Sequence, residues 1–249
     1  MSFGGVQALV DVELEVPEGT MVGLIGPNGA GKTTFIDAIT GFVRASGRVA
    51  LHGQELSGLA PHERARSGLA RTWQATELFD DLTVGENLAV ATARPSRWAT
   101  VREVLWKAPA DGAALRDALE LVGVEGALDR LPSELSQGER KLVGVARAMA
   151  GAPSVVCLDE PGAGLDASES EQLGRQLRRV VDGGTAMLLV DHDMGLVLGV
   201  CDRIVVLEFG RVIATGTPEE VRRDPRVVEA YLGGAGARRA ADALDIEAG

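Results

Sequence analysis

Residues 26–34 read GPNGAGKTT, and they follow MVGLI at 21–25. The reading of this stretch decides the fold. MVGLIG is a short apolar run closed by glycine, and KTTFIDAITGF places Phe35, Ile36 and Ile39 at helical spacing. The pattern predicts a strand, a loop and a helix. The loop satisfies G-x-x-x-x-G-K-[ST] in that context. Gly29 and Gly31 let the backbone curl so that successive N–H groups point inward as an anion nest, and the helix N-terminus adds favourable partial charge. Asn28, Ala30 and Thr34 complete the cradle, Lys32 reaches β and γ phosphates, and the Thr33 hydroxyl is placed to ligate Mg²⁺. The ligand implied carries β and γ phosphates and comes with magnesium.

The rest of the chain is consistent with an α/β architecture. SVVCLDE (154–160) and TAMLLVD (185–191) are two further apolar runs, separated by a polar, helix-compatible stretch at 169–182. Such runs are expected of buried parallel strands joined by helical crossovers. Residues 83–150 carry helix-compatible segments and no convincing strand, which predicts a helical subdomain at about 75–150. DRIVVLEFGRVIATG (202–216) predicts two short strands turned at Gly210. TPEEVRR and PRVVEAYLG predict two short helices, the first with Thr217 as N-cap and Pro218 at its first position. One domain is expected over 1–233, with a loosely held tail at 234–249.

Composition narrows the class. The chain has 249 residues and a net charge of −11, without the clustered basic face that binding a nucleic-acid backbone requires, so no nucleic acid is expected as partner. Cys157 and Cys201 each sit in apolar context and read as two buried thiols. No apolar run approaches the ~20 residues that span a bilayer. A membrane role would therefore come through a partner.

VVCLDEP (155–161) delivers Asp159 and Glu160 at the carboxyl end of an apolar strand, expected beside the phosphate loop. Asp159 suits a hold on Mg²⁺. Glu160 suits a base that polarises the attacking water, because phosphoryl transfer depends on positioning and charge neutralisation. His192 follows the next apolar strand and reads as a γ-phosphate contact, whereas His52 and His62 read as structural. LSQGE (135–139) is an S-x-x-E capping box before a helical run, and the same helix tip is an anion site.

In this order the motifs resemble those of the ATPase subunit of ABC transporters. GPNGAGKTT is similar to the Walker A loop, Gln74 to the Q-loop glutamine, LSQGE to the signature, VVCLDEP to Walker B, Gly164–Asp166 to the D-loop and His192 to the switch histidine. RTWQATELFDDLTVGENL, HDMGLVLGVCDRIVVLEFGRVIATGTPEEV and the ending VVEAYLG resemble the branched-chain amino acid importer ATPases in particular. The resemblance runs from about Phe3 to Gly233.

It implies a P-loop NTPase core with a mostly parallel sheet, a small antiparallel β part and a helical subdomain. It implies hydrolysis of ATP with Glu160, His192 and Gln74 as catalytic residues, and Thr33, Gln74 and Asp159 toward the metal. Ser136, Gln137 and Gly138 would face the γ-phosphate held by a second ATPase chain packed head to tail, with Asp166 at the seam. Phe3 would stack on adenine, or simply anchor a loose end. Leu78 and Phe79 would dock membrane permease subunits at the cytoplasmic face, or belong to the core. Gln137 stands where the family usually has glycine and Glu139 where glutamine is common. The chain begins at MSFGG, so the strand usually found before this point is expected to be missing. Lipid or lipopolysaccharide exporter ATPases share most of these motifs. A non-transport ABC-type ATPase would be expected to carry tandem cassettes or a long coiled-coil insert.

Overall fold

The computed structural model describes residues 2–3, 6–72, 78–92 and 112–232. Gln74, the stretch 99–108, the tail at 234–249 and the Phe3 side chain lie outside what is described. Strands β1 (Ser2–Phe3) and β2 (Val6–Gln7) form a two-stranded antiparallel pair, as do β4 (Ala50–Leu51) and β5 (Gln54–Glu55).

The main sheet has six strands. They are β3 (Met21–Ile25), β6 (Leu69–Arg71), β7 (Val155–Asp159), β8 (Ala186–Val190), β9 (Arg203–Glu208) and β10 (Arg211–Gly216), in the order β10-β9-β3-β8-β7-β6. Every pairing is parallel except β9 with β10. Parallel strands covered on both faces must be apolar at every position, which is why MVGLI, VVCL and AMLLV carry no polar alternation. The strand that precedes His192 lies directly beside β3, and β7 is the next strand out. The intervening β8 does not part the carboxylates from the phosphate loop, because Asp159 and Glu160 still act electrostatically on Lys32.

Alternate residues sort the core into two layers. Met21, Ile25, Val156, Leu158, Met187, Leu189, Ile204 and Val206 point into one, together with the helices that follow β6 in sequence. Val22, Leu24, Cys157, Leu188, Val190, Val205 and Leu207 point into the other, with Phe35 and Ile36 of α1 (Lys32–Thr40) and residues of the small β part. Helix α2 (Pro61–Arg66) packs beside α1, and its Arg64 donates to the Ala38 and Ile39 carbonyls at the end of α1.

The helical part contains α3 (Val84–Thr92), α4 (Gly112–Leu121) and α5 (Gln137–Met149), which pack on one another. Asn87 is fully buried and anchors the chain entering α3: its Oδ1 accepts from Phe79 N, and its Nδ2 donates to the carbonyls of Phe79, Leu82 and Thr83. Leu78 is core at 9 % exposure, whereas Phe79 is 48 % exposed. Helix α6 (Ala167–Asp182) begins two residues before the expected start, because Asp166 and Glu169 close a capping box. Helix α7 (Met194–Val200) follows β8. Both cysteines are buried and free, and burial pushes each thiol up to about 12. His52 and His62 lie exposed on the surface.

The last helices are α8 (Pro218–Arg223), capped by Thr217, and α9 (Pro225–Leu232). Tyr231 of α9 packs on the larger core layer, and the Gly26 backbone N–H faces its hydroxyl. Burial pushes this phenol up to about 12, against the lesser pull of that N–H. It is the chain's one tyrosine, so phenolate absorbance reports it alone. The folded protein is expected to show little phenolate at pH 11, and denaturant should release titration near pH 10. A phenol raised in the folded state contributes stability that is complete below the unfolded pKa and is lost as pH rises through the folded one. Its share of stability therefore declines between about pH 10 and 12. Titration of the native chain near 10 would refute the burial of this phenol.

Candidate active site

The phosphate loop joins β3 to α1. Gly29 has φ of 81° and Gly31 has φ of 107°, both left-handed values that a side chain resists. A Cβ on Gly31 would also lie 2.8 Å from the Ala8 carbonyl oxygen, while Gly29 faces open space where a ligand can approach the backbone. Gly31 is the N-cap of α1 and supplies no side-chain cap, so the first amides of that helix remain available to an anion. Lys32 is 8 % exposed and folds back over the loop, donating from Nζ to the Gly26 carbonyl at 2.7 Å and the Pro27 carbonyl at 3.2 Å. Burial lowers its pKa, opposed by Glu160 and Asp159. Asn28 and Thr33 are exposed, Thr34 is half-buried and Ala30 is buried.

Asp159 ends β7 at 1 % exposure. Its Oδ2 receives the Arg71 Nη2 at 3.0 Å, and its Oδ1 is buried without a hydrogen-bond partner. Burial raises its pKa, and the Arg71 guanidinium works against that rise. An orphaned carboxylate oxygen suits a cation or its water. Among the described residues no group of three or more His, Cys, Asp or Glu could hold a metal. Mg²⁺ is typically held by one or two side chains, substrate phosphates and waters rather than by an all-protein cage. Asp159 and the Thr33 hydroxyl are the described residues that fit it.

Glu160 adopts a left-handed φ of 50°, and its N–H donates to the Val190 carbonyl at 2.7 Å. This sparsely populated conformation is held by a bond across to the end of β8. His192 Nδ1 lies 4.0 Å from Glu160 Oε2 and 3.6 Å from Asp191 Oδ1. Asp191, which sequence reasoning passed over, is the hub of this corner. Its carboxylate is buried and accepts from the backbone N–H groups of Gly162, His192 and Asp193, joining the segments that follow β7 and β8. Lys141 of α5 is also buried; burial lowers its pKa, opposed by Asp191 and Glu160.

The second phosphate-binding candidate lies elsewhere. Ser136 Oγ accepts from Glu139 N at 3.1 Å and Glu139 Oε2 accepts from Ser136 N at 2.7 Å, so the expected capping box is present. Arg130 holds the other Glu139 oxygen at 2.9 Å. Ser136 and Gln137 are exposed at the tip of α5. The Gln137 amide lies over Gly164, where an added Cβ would come within 2.5 Å of its Nε2. Gly138 faces Glu169, so the α5 tip and the Asp166-capped start of α6 are neighbours. Helix α5 packs in the core layer opposite the one that holds α1.

The structure therefore gathers Lys32, Asp159, Glu160 and His192 at the carboxyl ends of β3, β7 and β8. Ser136, Gln137, Gly138 and Asp166 form a separate group. Phe3 is placed by its backbone on β1, and Gln74 lies outside the described residues. Arg71 and Asp191 went unnoticed in the sequence. A D-x-x-E pattern, legible at 166–169, could have revealed the second capping box.

A family profile described as ABC transporter matches residues 9–163, and one described as branched-chain amino acid ATP-binding cassette transporter matches residues 211–237. The chain is 40 % identical over 242 residues to the high-affinity branched-chain amino acid transport ATP-binding protein LivG of Salmonella typhimurium, covering 94 % of each chain. It is 37 % identical over 234 residues to the lipopolysaccharide export system ATP-binding protein LptB of Escherichia coli, covering 93 % of each. A nucleotide-free ATP-binding cassette from an ABC transporter superposes with a TM-score of 0.83 at 30 % identity, covering 94 % of this chain and 96 % of that one. The ADP conformation of the cassette MJ1267 matches equally well.

Proposed function

The chain belongs to the ABC transporter family as an ATP-binding, ATP-hydrolysing subunit, and from that premise we propose that it drives import of branched-chain amino acids or a related polar solute. It would do so as one half of a head-to-tail ATPase dimer bound to membrane permease subunits at the cytoplasmic face. No described helix is long and apolar enough to cross a membrane.

The observation that carries the paired site is the placement of its two phosphate-binding ends. The Gly29–Thr34 cradle opens α1 on one side of the sheet, and the Ser136–Gly138 tip opens α5 on the other. A second copy turned head to tail would bring its own tip to the γ-phosphate held by Lys32. ATP then joins the two chains, and loss of the γ-phosphate contact lets them part.

Within each site Lys32 and the loop amides hold phosphate, with Asn28, Ala30 and Thr34 shaping the cradle. Thr33, Asp159 and Gln74 face Mg²⁺, which when bound neutralises developing phosphate charge. Glu160 accepts a proton from the attacking water while His192 and Gln74 orient water and γ-phosphate. Phe3 stacks on adenine. Asp166, at the seam, couples the two sites. The exposed Phe79 belongs to the permease-facing surface; Leu78, being core, supports it from within.

Recovery of the tagged chain from solubilised membranes tests the importer reading. The expected co-purifying protein is a permease that takes up labelled leucine into proteoliposomes only with ATP inside the site-facing compartment. The similarity to the lipopolysaccharide-export subunit makes export the second reading. A permease that extracts lipopolysaccharide instead would transfer the chain to that function.

A further inference from the structure

Arg71 ends β6, three residues before Gln74, and its side chain is 8 % exposed. Its Nη2 holds Asp159 Oδ2 at 3.0 Å and its Nη1 holds Asp37 Oδ1 on α1, the helix opened by the phosphate loop. The guanidinium also stands 5.8 Å from the Phe42 ring centroid, just beyond α1. The backbone repeats the connection to β7: Thr72 N donates to the Cys157 carbonyl at 2.9 Å, and Asp159 N reaches Thr72 Oγ1 at 3.4 Å. The β6–β7 register of Arg71 opposite Cys157 makes this reach possible, because Asp159 lies two residues further on the same strand.

We propose that Arg71 is a positioning residue for the metal half of the site: it fixes the Asp159 carboxylate so that the unpartnered Oδ1 is left for Mg²⁺, and it ties that carboxylate through Asp37 to the helix that the phosphate loop opens. The inference rests on the ATP and magnesium reading above. Asp159 has one oxygen held and one orphaned, and the holder also grips Asp37 on the helix opened by the phosphate loop. A pair needed only for stability gains little from being ionic, since well-packed apolar residues do as well or better in a buried position. A planar fork, by contrast, can hold two carboxylates on two elements at once, which a lysine ammonium on a flexible stem does poorly. Groups that orient a metal ligand from behind set its affinity without touching the ion.

The full-length chain is tested as Arg71→Lys and Arg71→Gln. Binding of a fluorescent ATP analogue is measured in EDTA and across a magnesium titration. Affinity in EDTA is expected to stay within about 2-fold of the parent, while the magnesium midpoint rises about 10-fold in both variants. A parental midpoint in Arg71→Lys would overturn the proposal, showing that charge alone suffices. Equal loss of affinity with and without magnesium would also overturn it, assigning Arg71 to the fold. If neither variant folds, Asp37→Asn loosens the other prong at a more exposed position; a shifted midpoint there supports the proposal and an unshifted one refutes it. Absence of any magnesium effect in the parent chain would instead count against the ATP and magnesium reading itself.

Discussion

Glu160→Gln is expected to retain ATP and lose turnover by a factor of about 10² to 10⁴, the range that a positioned proton acceptor contributes. The substitution preserves shape, and the strained backbone at 160 is held by its own N–H bond to the Val190 carbonyl, which the change leaves in place. The phosphate loop, with Lys32 folded across it, keeps its donors. The change removes the ability to accept a proton from water, together with the negative charge that acts on Lys32 and Lys141. With the γ-phosphate uncleaved, the two chains have no reason to separate, so the variant should accumulate as an ATP-bound dimer. Phosphate release measured under single-turnover conditions, together with size-exclusion chromatography in ATP, checks both halves of the expectation. Normal turnover would take the base role from Glu160. Loss of ATP binding would show that its carboxylate serves to hold the nucleotide site together.

The strands that build this site were legible because burial on both faces leaves an unbroken apolar run, and MVGLI, VVCL and AMLLV have no other explanation. The caps were legible because Ser136 and Thr217 stand three residues before a glutamate, and both boxes are present. Strand order was less accessible. Nothing within a run of apolar residues says that β8 inserts between β3 and β7. Arg71 and Asp191 were missed for a related reason. A charged residue at the end of a strand reads as solvated surface until the fold shows it buried, and both have their partners on elements distant in sequence. The Tyr231 contact with Gly26 joins the two ends of the domain, a relation that no local pattern carries. The sorting of α1 and α5 to opposite layers was implicit in strand alternation, but only the pairing shows which helix covers which face.

Gly138→Asp separates the two phosphate-binding ends more sharply than any change in the loop. A Cβ at 138 would meet nothing nearer than Glu169 at 3.6 Å, so the side chain has room in the isolated chain. An acid in the first turn of α5 is also favourable toward the helix dipole, although Glu139 and Glu169 nearby oppose it. The variant is therefore expected to fold and to bind ATP through its own Lys32 as the parent does. What it cannot do is bring a second anion to the γ-phosphate of a partner, so turnover and ATP-driven pairing should fall by roughly 10²-fold or more, the scale seen when one preorganised charge contact in a transition state is lost. Lys32→Ala fails at the opposite end, in the cradle. Mixing the two inactive chains discriminates between a shared site and a self-contained one. A heterodimer pairs the intact cradle of one with the intact α5 tip of the other at one of its two sites, so a fraction of the parental activity should return on mixing. If the mixture stays as silent as its components while each chain remains folded, the site is not assembled across two chains. The placement of α1 and α5 on opposite sides of the sheet would then need another purpose.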